Sequence, residues 1–292
     1  NSEVIVRRDR SLGGKEVVVA RRVREPEVVV RRTSQKGSDS ALADMGLVDG
    51  WKDFRDQGSS RKLPQWWPEV GFESGSTITG ADKEEYKRAA NSLVRAITSY
   101  RTIGEDVTEH DIVQLRRICR TSGVQVSFDT TNTRDSFYRA AVNFILNVCS
   151  SCAGYSSILN VDGESVQHFI AGLAENVGLE NLRAARIVSG AVAARTLSLF
   201  LQSWALEVQG KHEEALLELS KICLFFQAFP PDESAAEMEM VARGLGKNLS
   251  VEKRELLMDM FQKVCSEDCH RCAADALGLV QASRGSSDPR DV

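Results

Sequence analysis

Between Leu182 and Phe229 the chain carries its longest Pro-free, apolar-rich run. Two periodic stripes divide it. Val188, Val192, Arg195 and Leu199 fall at i, i+4, i+7 and i+11; Leu216, Leu219, Cys223 and Phe226 fall at i, i+3, i+7 and i+10. Each spacing puts its residues on one face of an α-helix. The polar stretch Gln209-Gly210-Lys211 separates them. The run therefore predicts a helical hairpin, the seed of an all-α core.

The pattern continues on both sides. Thr79, with Asp82 three residues on, predicts a helix to about Tyr100 whose apolar face holds Leu93, Ile97 and Tyr100. Thr108 and Asp111 open a second through Ile112, Leu115 and Cys119, ending before Gly123. Val124 to Phe128 reads as a short strand or an extended joint. Thr133 opens a helix through Phe137, Ala141, Phe144, Ile145 and Val148, ending by Gly154. Asp162 opens another through Val166, Phe169, Ile170 and Leu173, ending near Gly178. Pro230-Pro231 stop the central hairpin. A helix over 232–244 is expected to break at Gly244 and Gly246. Ser250 then caps one long helix through Leu256, Phe261 and Val264 toward Leu279. This divides the chain into a basic flexible arm (1–40), an extended Trp-rich strap (41–78), a helical core domain (79–281) and a disordered tail (282–292).

The arm repeats itself. Glu3-Val-Ile-Val-Arg-Arg, Glu16-Val-Val-Val-Ala-Arg-Arg and Glu27-Val-Val-Val-Arg-Arg start 13 and then 11 residues apart. That period is too short for a solenoid unit. The patches are β-prone but bring too little apolar area to fold alone. In the strap, Pro64 and Pro68 bracket Trp66 and Trp67, which predicts an extended segment lying across a groove.

Charge is distributed unevenly. The net charge of −4 combines residues 1–36, with ten Lys/Arg against five Asp/Glu, and residues 140–292, with thirteen against twenty. A basic arm on an acidic body fits contact with a polyanion or with the acidic face of another copy. No uninterrupted apolar run reaches the roughly 18–20 residues that span a bilayer, so no membrane partner is expected. Seven cysteines without a secretory signal speak against a disulfide scaffold. Asn1 in place of Met points to a processed product, as from a polyprotein.

The search for chemistry turns up no enzyme. There is no Gly-x-Ser-x-Gly elbow, no His-Glu-x-x-His and no Gly-rich phosphate loop. His110, His168, His212 and His270 read as surface residues of helices. Cys149/Cys152 and Cys265/Cys269/His270/Cys272 have spacings that could grip zinc, but both clusters fall within helical patterns and read as core. Neither catalytic residues, nor a metal site, nor a cofactor is expected. What remains is arginine: Arg116, Arg117 and Arg120 at the end of one helix, Arg134 and Arg139 at the start of the next, and Arg183, Arg186 and Arg195 along the central one. The planar guanidinium fork suits phosphate. Arg195 stands where an apolar residue is expected. It must snorkel, pair with a buried acid such as Glu175 or Asp162, or open on a groove holding an anion.

A basic arm, a Trp-rich strap, a helical body and a polar tail, without catalytic motifs, resemble the coat and nucleocapsid proteins of RNA viruses, flexible filamentous plant viruses in particular. The resemblance is one of layout across the whole chain. It implies a helical core that holds single-stranded RNA non-specifically in a groove, terminal arms that reach neighbouring subunits, self-assembly into a homo-oligomer or filament, and a place in the virion and the host cytoplasm. The eight arginines above are the expected RNA ligands. Two other readings stand beside it: a cellular helical adaptor that binds protein, and a metal-binding helical protein that uses the cysteines.

Overall fold

The structure is a computed structural model and describes residues 62–69, 80–103, 107–151, 159–232 and 235–279. The arm, most of the strap, the tail and Cys152 lie outside the described residues. Within them the chain forms nine α-helices and one two-stranded hairpin. The fold class is all-α.

Helices α1 (Gly80–Ile103) and α2 (Glu109–Ser122) pack on each other. Both ends of α2 are closed as the sequence predicts. The Thr108 hydroxyl accepts from the Asp111 N–H at 3.2 Å, and Gly123 takes the left-handed conformation at φ 63°. Val124 and Val126 are buried in an extended joint, and the Val126 N–H donates to the Asn176 carbonyl at 2.8 Å. Helix α3 (Thr131–Ser151) begins two residues before Thr133, because Thr130 accepts from the Thr133 N–H and so caps it.

Asp162 does not open a helix. It sits with Gly163 in the turn between β1 (Asn160–Val161) and β2 (Glu164–Ser165), at φ 52° and 80° respectively. Asn160 faces Ser165 and Val161 faces Glu164 in antiparallel register. Asp-Gly is the residue pair that a two-residue turn with positive φ favours. Ser165 then caps α4 (Val166–Asn176), accepting from the His168 N–H at 3.3 Å.

The central hairpin is α5 (Asn181–Val208) and α6 (His212–Ala228), turned at left-handed Gly210. Val188, Val192, Leu199, Leu219, Cys223 and Phe226 are all buried, as their spacing predicts. Helix α5 packs against α3, α4 and α6, and against α7 (Ala236–Asn248) and α8 (Val251–Val264). It is long and apolar enough to cross a membrane by length and composition, but this burial on several sides is what a core helix requires.

Three expectations along the chain are corrected. The helix predicted over 232–244 starts at Ala236 and passes through Gly244 and Gly246 to Asn248. Burying Met238, Val241 and Leu245 on one face outweighs the helix cost of glycine, about 1 kcal/mol each. The single long helix from Ser250 is two, α8 and α9 (Glu267–Leu277), because extended Cys265 (φ −124°, ψ 150°) breaks it. The strap is not extended at Pro64–Trp67, where the Trp67 N–H donates to the Pro64 carbonyl at 3.0 Å. Successive side chains of an extended chain point to opposite faces; the turn lets Trp66 and Trp67 both be buried. Trp66 meets Phe229 edge-on at 5.1 Å between ring centroids.

Candidate nucleic-acid interface

The eight arginines separate in space into two groups. The first belongs to α2 and the hairpin. Arg116 is only 8% exposed. Its Nε and Nη2 donate to the two carboxylate oxygens of Glu164 at 3.0 and 2.6 Å, and its Nη1 donates to Asn176 Oδ1 at 2.7 Å. All three nitrogens are engaged, in the fork-to-fork geometry that makes the strongest neutralised pair. The guanidinium lies over Gly172, where a Cβ would come within 2.1 Å of Nη2. Glycine there is a requirement of space.

Arg117 makes a bidentate pair with Asp162, and Arg120 reaches the Asp162 carbonyl at 3.2 Å and Glu164 Oε2 at 3.3 Å. The Arg117 hydrogen bond, helped by the charges of Arg117 and Arg120, holds the Asp162 carboxyl below its ordinary range against the cost of burial. Three cations on two acids make a clasp between α2 and the hairpin. Here the sequence reading missed the partner: Asp162-Gly163 between Val161 and Glu164 was a hairpin signal, and a hairpin puts its acids within reach of the α2 arginines.

The second group lies on α3 and α5. Arg183 Nη2 donates to Asp135 Oδ2 at 2.5 Å, and Arg195 Nη2 donates to Asn147 Oδ1 at 3.2 Å. Both partners are 48 residues apart, so the two helices lie side by side and run in the same direction. Arg134 donates to the Gly178 carbonyl at 2.8 Å and pairs with Asp135 at 3.3 Å. Asp135 is 3% exposed and takes both cations. Arg139, exposed, follows Asp135 by one turn on the same face, with no polar partner among the described residues. Between the levels of Arg183 and Arg195, about 18 Å of helix, α5 carries the small, half-buried residues Gly190, Ala191 and Ala194. The alternative for Arg195, a buried ion pair with Glu175 or Asp162, is not found among the described residues. Arg117 and Arg120 occupy Asp162, while Glu175 is pushed up by burial despite the opposing charge of Arg116.

Arg186 is exposed and also has no polar partner among the described residues. It lines a cleft of about 470 Å³ with Lys62, Trp66, Ser189, Asp232 and Glu237. This cleft joins the docked strap to the start of α5 and to the chain after Phe229.

The cysteines gather differently from the sequence reading. Cys223 of α6 brings its Sγ to 3.8 Å from Cys269 Sγ of α9. Cys265 stands in the break between α8 and α9, off the helical face on which it was expected with Cys269 and Cys272. No group of three or more His, Cys, Asp or Glu among the described residues is arranged to hold a metal ion. Contact with Cys265, together with burial, pushes the Cys223 thiol up to about 11, and burial takes Cys119 to about 11. His110 and His168 are exposed. His212 and His270 are half-buried: His212 pairs with Glu207 at 2.8 Å, and His270 lies 3.0 Å from the Cys265 carbonyl.

A comparison with protein-family models, curated proteins and solved structures finds no match.

Proposed function

We propose that this chain is a coat or nucleocapsid protein that packages single-stranded RNA without regard to sequence and assembles with copies of itself. The observation that carries the reading is the row of guanidiniums on α3 and α5. Asp135 holds Arg134 and Arg183, exposed Arg139 stands beside them without a polar partner among the described residues, and Arg195 closes the row at Asn147. Pre-oriented forks bind phosphate at little entropic cost. Phosphate contacts carry no base preference, which is what packaging needs. The net charge of −4 does not oppose this, because a groove requires only local positive potential. Arg116 leaves the proposed site because it is buried with all three nitrogens engaged, and Arg117 and Arg120 leave it because they stand on the hairpin acids and not on the α3–α5 face.

Binding of short single strands of poly(U), poly(A) and mixed sequence to the full chain tests the reading. Arg139→Ala should weaken all three about equally and lower the slope of log K against log salt by roughly 0.7. Binding and slope identical to the unaltered protein would defeat it. Negative-stain images with RNA should show filaments. This reading places the chain in virions and in the host cytoplasm.

The cleft beneath the strap favours a second reading, a helical adaptor that takes a protein segment there. Its wall is apolar at Leu63, Trp66 and Leu182, with Arg186, Asp232 and Glu237 at hand for polar contacts. Protein purified without nuclease separates the two: a high ratio of absorbance at 260 to 280 nm supports RNA, and a protein-like ratio supports the adaptor.

A further inference from the structure

We infer that Cys223 and Cys269 are a disulfide-forming pair, oxidised by peroxide through a cleft that opens on α9. The inference is independent of the RNA reading. Three observations carry it. The two Sγ atoms lie 3.8 Å apart, although the residues are 46 positions apart and on different helices. A disulfide bond needs about 2.05 Å, so rotation of the two side chains has to close less than 2 Å. Both thiols are buried, at 0% and 3% exposure, which keeps large thiols and disulfides away from them. A cleft of about 430 Å³, lined by Phe226, Gln227, Pro230, Ser266, Asp268, Cys269 and Cys272, leads to the Cys269 side chain. It is roomy enough for hydrogen peroxide.

The pair has other sulfur and polar neighbours, Cys265 touching Cys223 among them. Gln227 Nε2 lies 3.5 Å from Cys223 Sγ, and Ser266 Oγ lies 3.9 Å from Cys269 Sγ, so each sulfur has a polar neighbour. Cys272, one turn along α9, is half-buried on the cleft wall, and its thiol, too, is pushed up, by burial first. Thiols held protonated react slowly, because the thiolate is the nucleophile. Oxidation is therefore a slow event driven by excess peroxide, unlike that of an exposed sensor thiol.

The step balances as follows. The Cys269 sulfur attacks peroxide, breaks the O–O bond and becomes a sulfenic acid, releasing one water. The Cys223 sulfur then attacks the sulfenic sulfur, the S–S bond forms, and the hydroxyl leaves with the Cys223 proton as a second water. Two thiols lose two electrons and peroxide gains them. The product ties α6 to α9 and closes the chain segment that holds α7 and α8.

The full chain is incubated with hydrogen peroxide, alkylated and mapped by mass spectrometry. The expected result is a Cys223–Cys269 crosslink with a mass loss of about 2 Da before alkylation, reversed by dithiothreitol. The unfolding temperature should rise by about 5–10 °C. Glutathione disulfide at equal oxidising equivalents should give far less crosslink, and Cys272→Ser should crosslink like the unaltered chain. A crosslink through Cys265 or Cys272 instead, or both thiols alkylated after peroxide while the chain is folded, would overturn the inference. The map of the unaltered chain decides the matter even where Cys223→Ser or Cys269→Ser fails to fold.

Discussion

Arg116 and Arg139 are the same residue type, each on a helix, yet one is buried and fully paired and the other is exposed. Around α2, Arg116 is buried while Arg117 and Arg120 stay exposed, and all three close on two acids of a hairpin that arrives from more than forty residues away. Along α3 and α5 they stand on an outer face, where Asp135 is the acid that orients two of them. Burial makes the difference. A guanidinium taken out of water must carry its counter-charge with it, so Arg116 comes with Glu164 and Asn176. A guanidinium left in water keeps spare donors for a ligand. Charge counted along a sequence therefore overstates the charge available for binding.

The comparison can be broken most directly at Arg116. Arg116→Ala leaves the Asn176 side-chain oxygen without its partner and Glu164 with Arg120 alone in a nearly dry site. Chemical denaturation should show a loss of about 3–5 kcal/mol. A loss below 1 kcal/mol would mean that the clasp is not a structural element.

Gly172→Ala approaches the same site from the other side. The new methyl would overlap the Arg116 guanidinium and has to displace it. A destabilisation of about 1–3 kcal/mol is expected from overpacking, and the double variant with Arg116→Ala should recover part of the Gly172→Ala loss. Strict additivity would disconnect the two residues.

Acid should open the clasp. The Asp162 carboxyl is held below its ordinary value of 3.8 by Arg117. Its contribution is complete above that value and is lost as pH falls through the lower, folded value. Asp162→Asn should therefore be less stable than the unaltered chain near neutrality, and the gap should narrow below about pH 3.9. A gap constant from pH 7 to pH 2 would show that the shift does not stabilise the fold.

The smallest effects on stability belong to the other region. Arg139→Ala and Arg186→Ala remove exposed side chains without polar partners among the described residues, and each should change stability by no more than about 0.5 kcal/mol. Arg195→Ala, which removes the hydrogen bond to Asn147, should lower RNA affinity while the body still folds. Loss of folding with unchanged RNA affinity would move Arg195 to the structural group.

Local signals in the chain were sufficient for the all-α class, the α5–α6 hairpin with its turn at Gly210, and the caps of α2. Each depends on residues within a few positions of one another, through helical periodicity, a hydroxyl cap or a glycine that tolerates positive φ. Packing decided what those signals could not reach. Buried Met238, Val241 and Leu245 carry α7 through two glycines, and both indoles of the strap are buried, Trp66 against Phe229 and Trp67 beside Trp66. The roles of the arginines were the least legible, because ion pairing between Arg116 and Glu164, or Arg183 and Asp135, spans 48 residues and depends on where helices cross. The same holds for Cys223 and Cys269, which the chain separates by 46 positions and α6 and α9 bring into contact. Periodicity records which face of a helix is buried; only the tertiary structure determines which charge or sulfur waits on the other side.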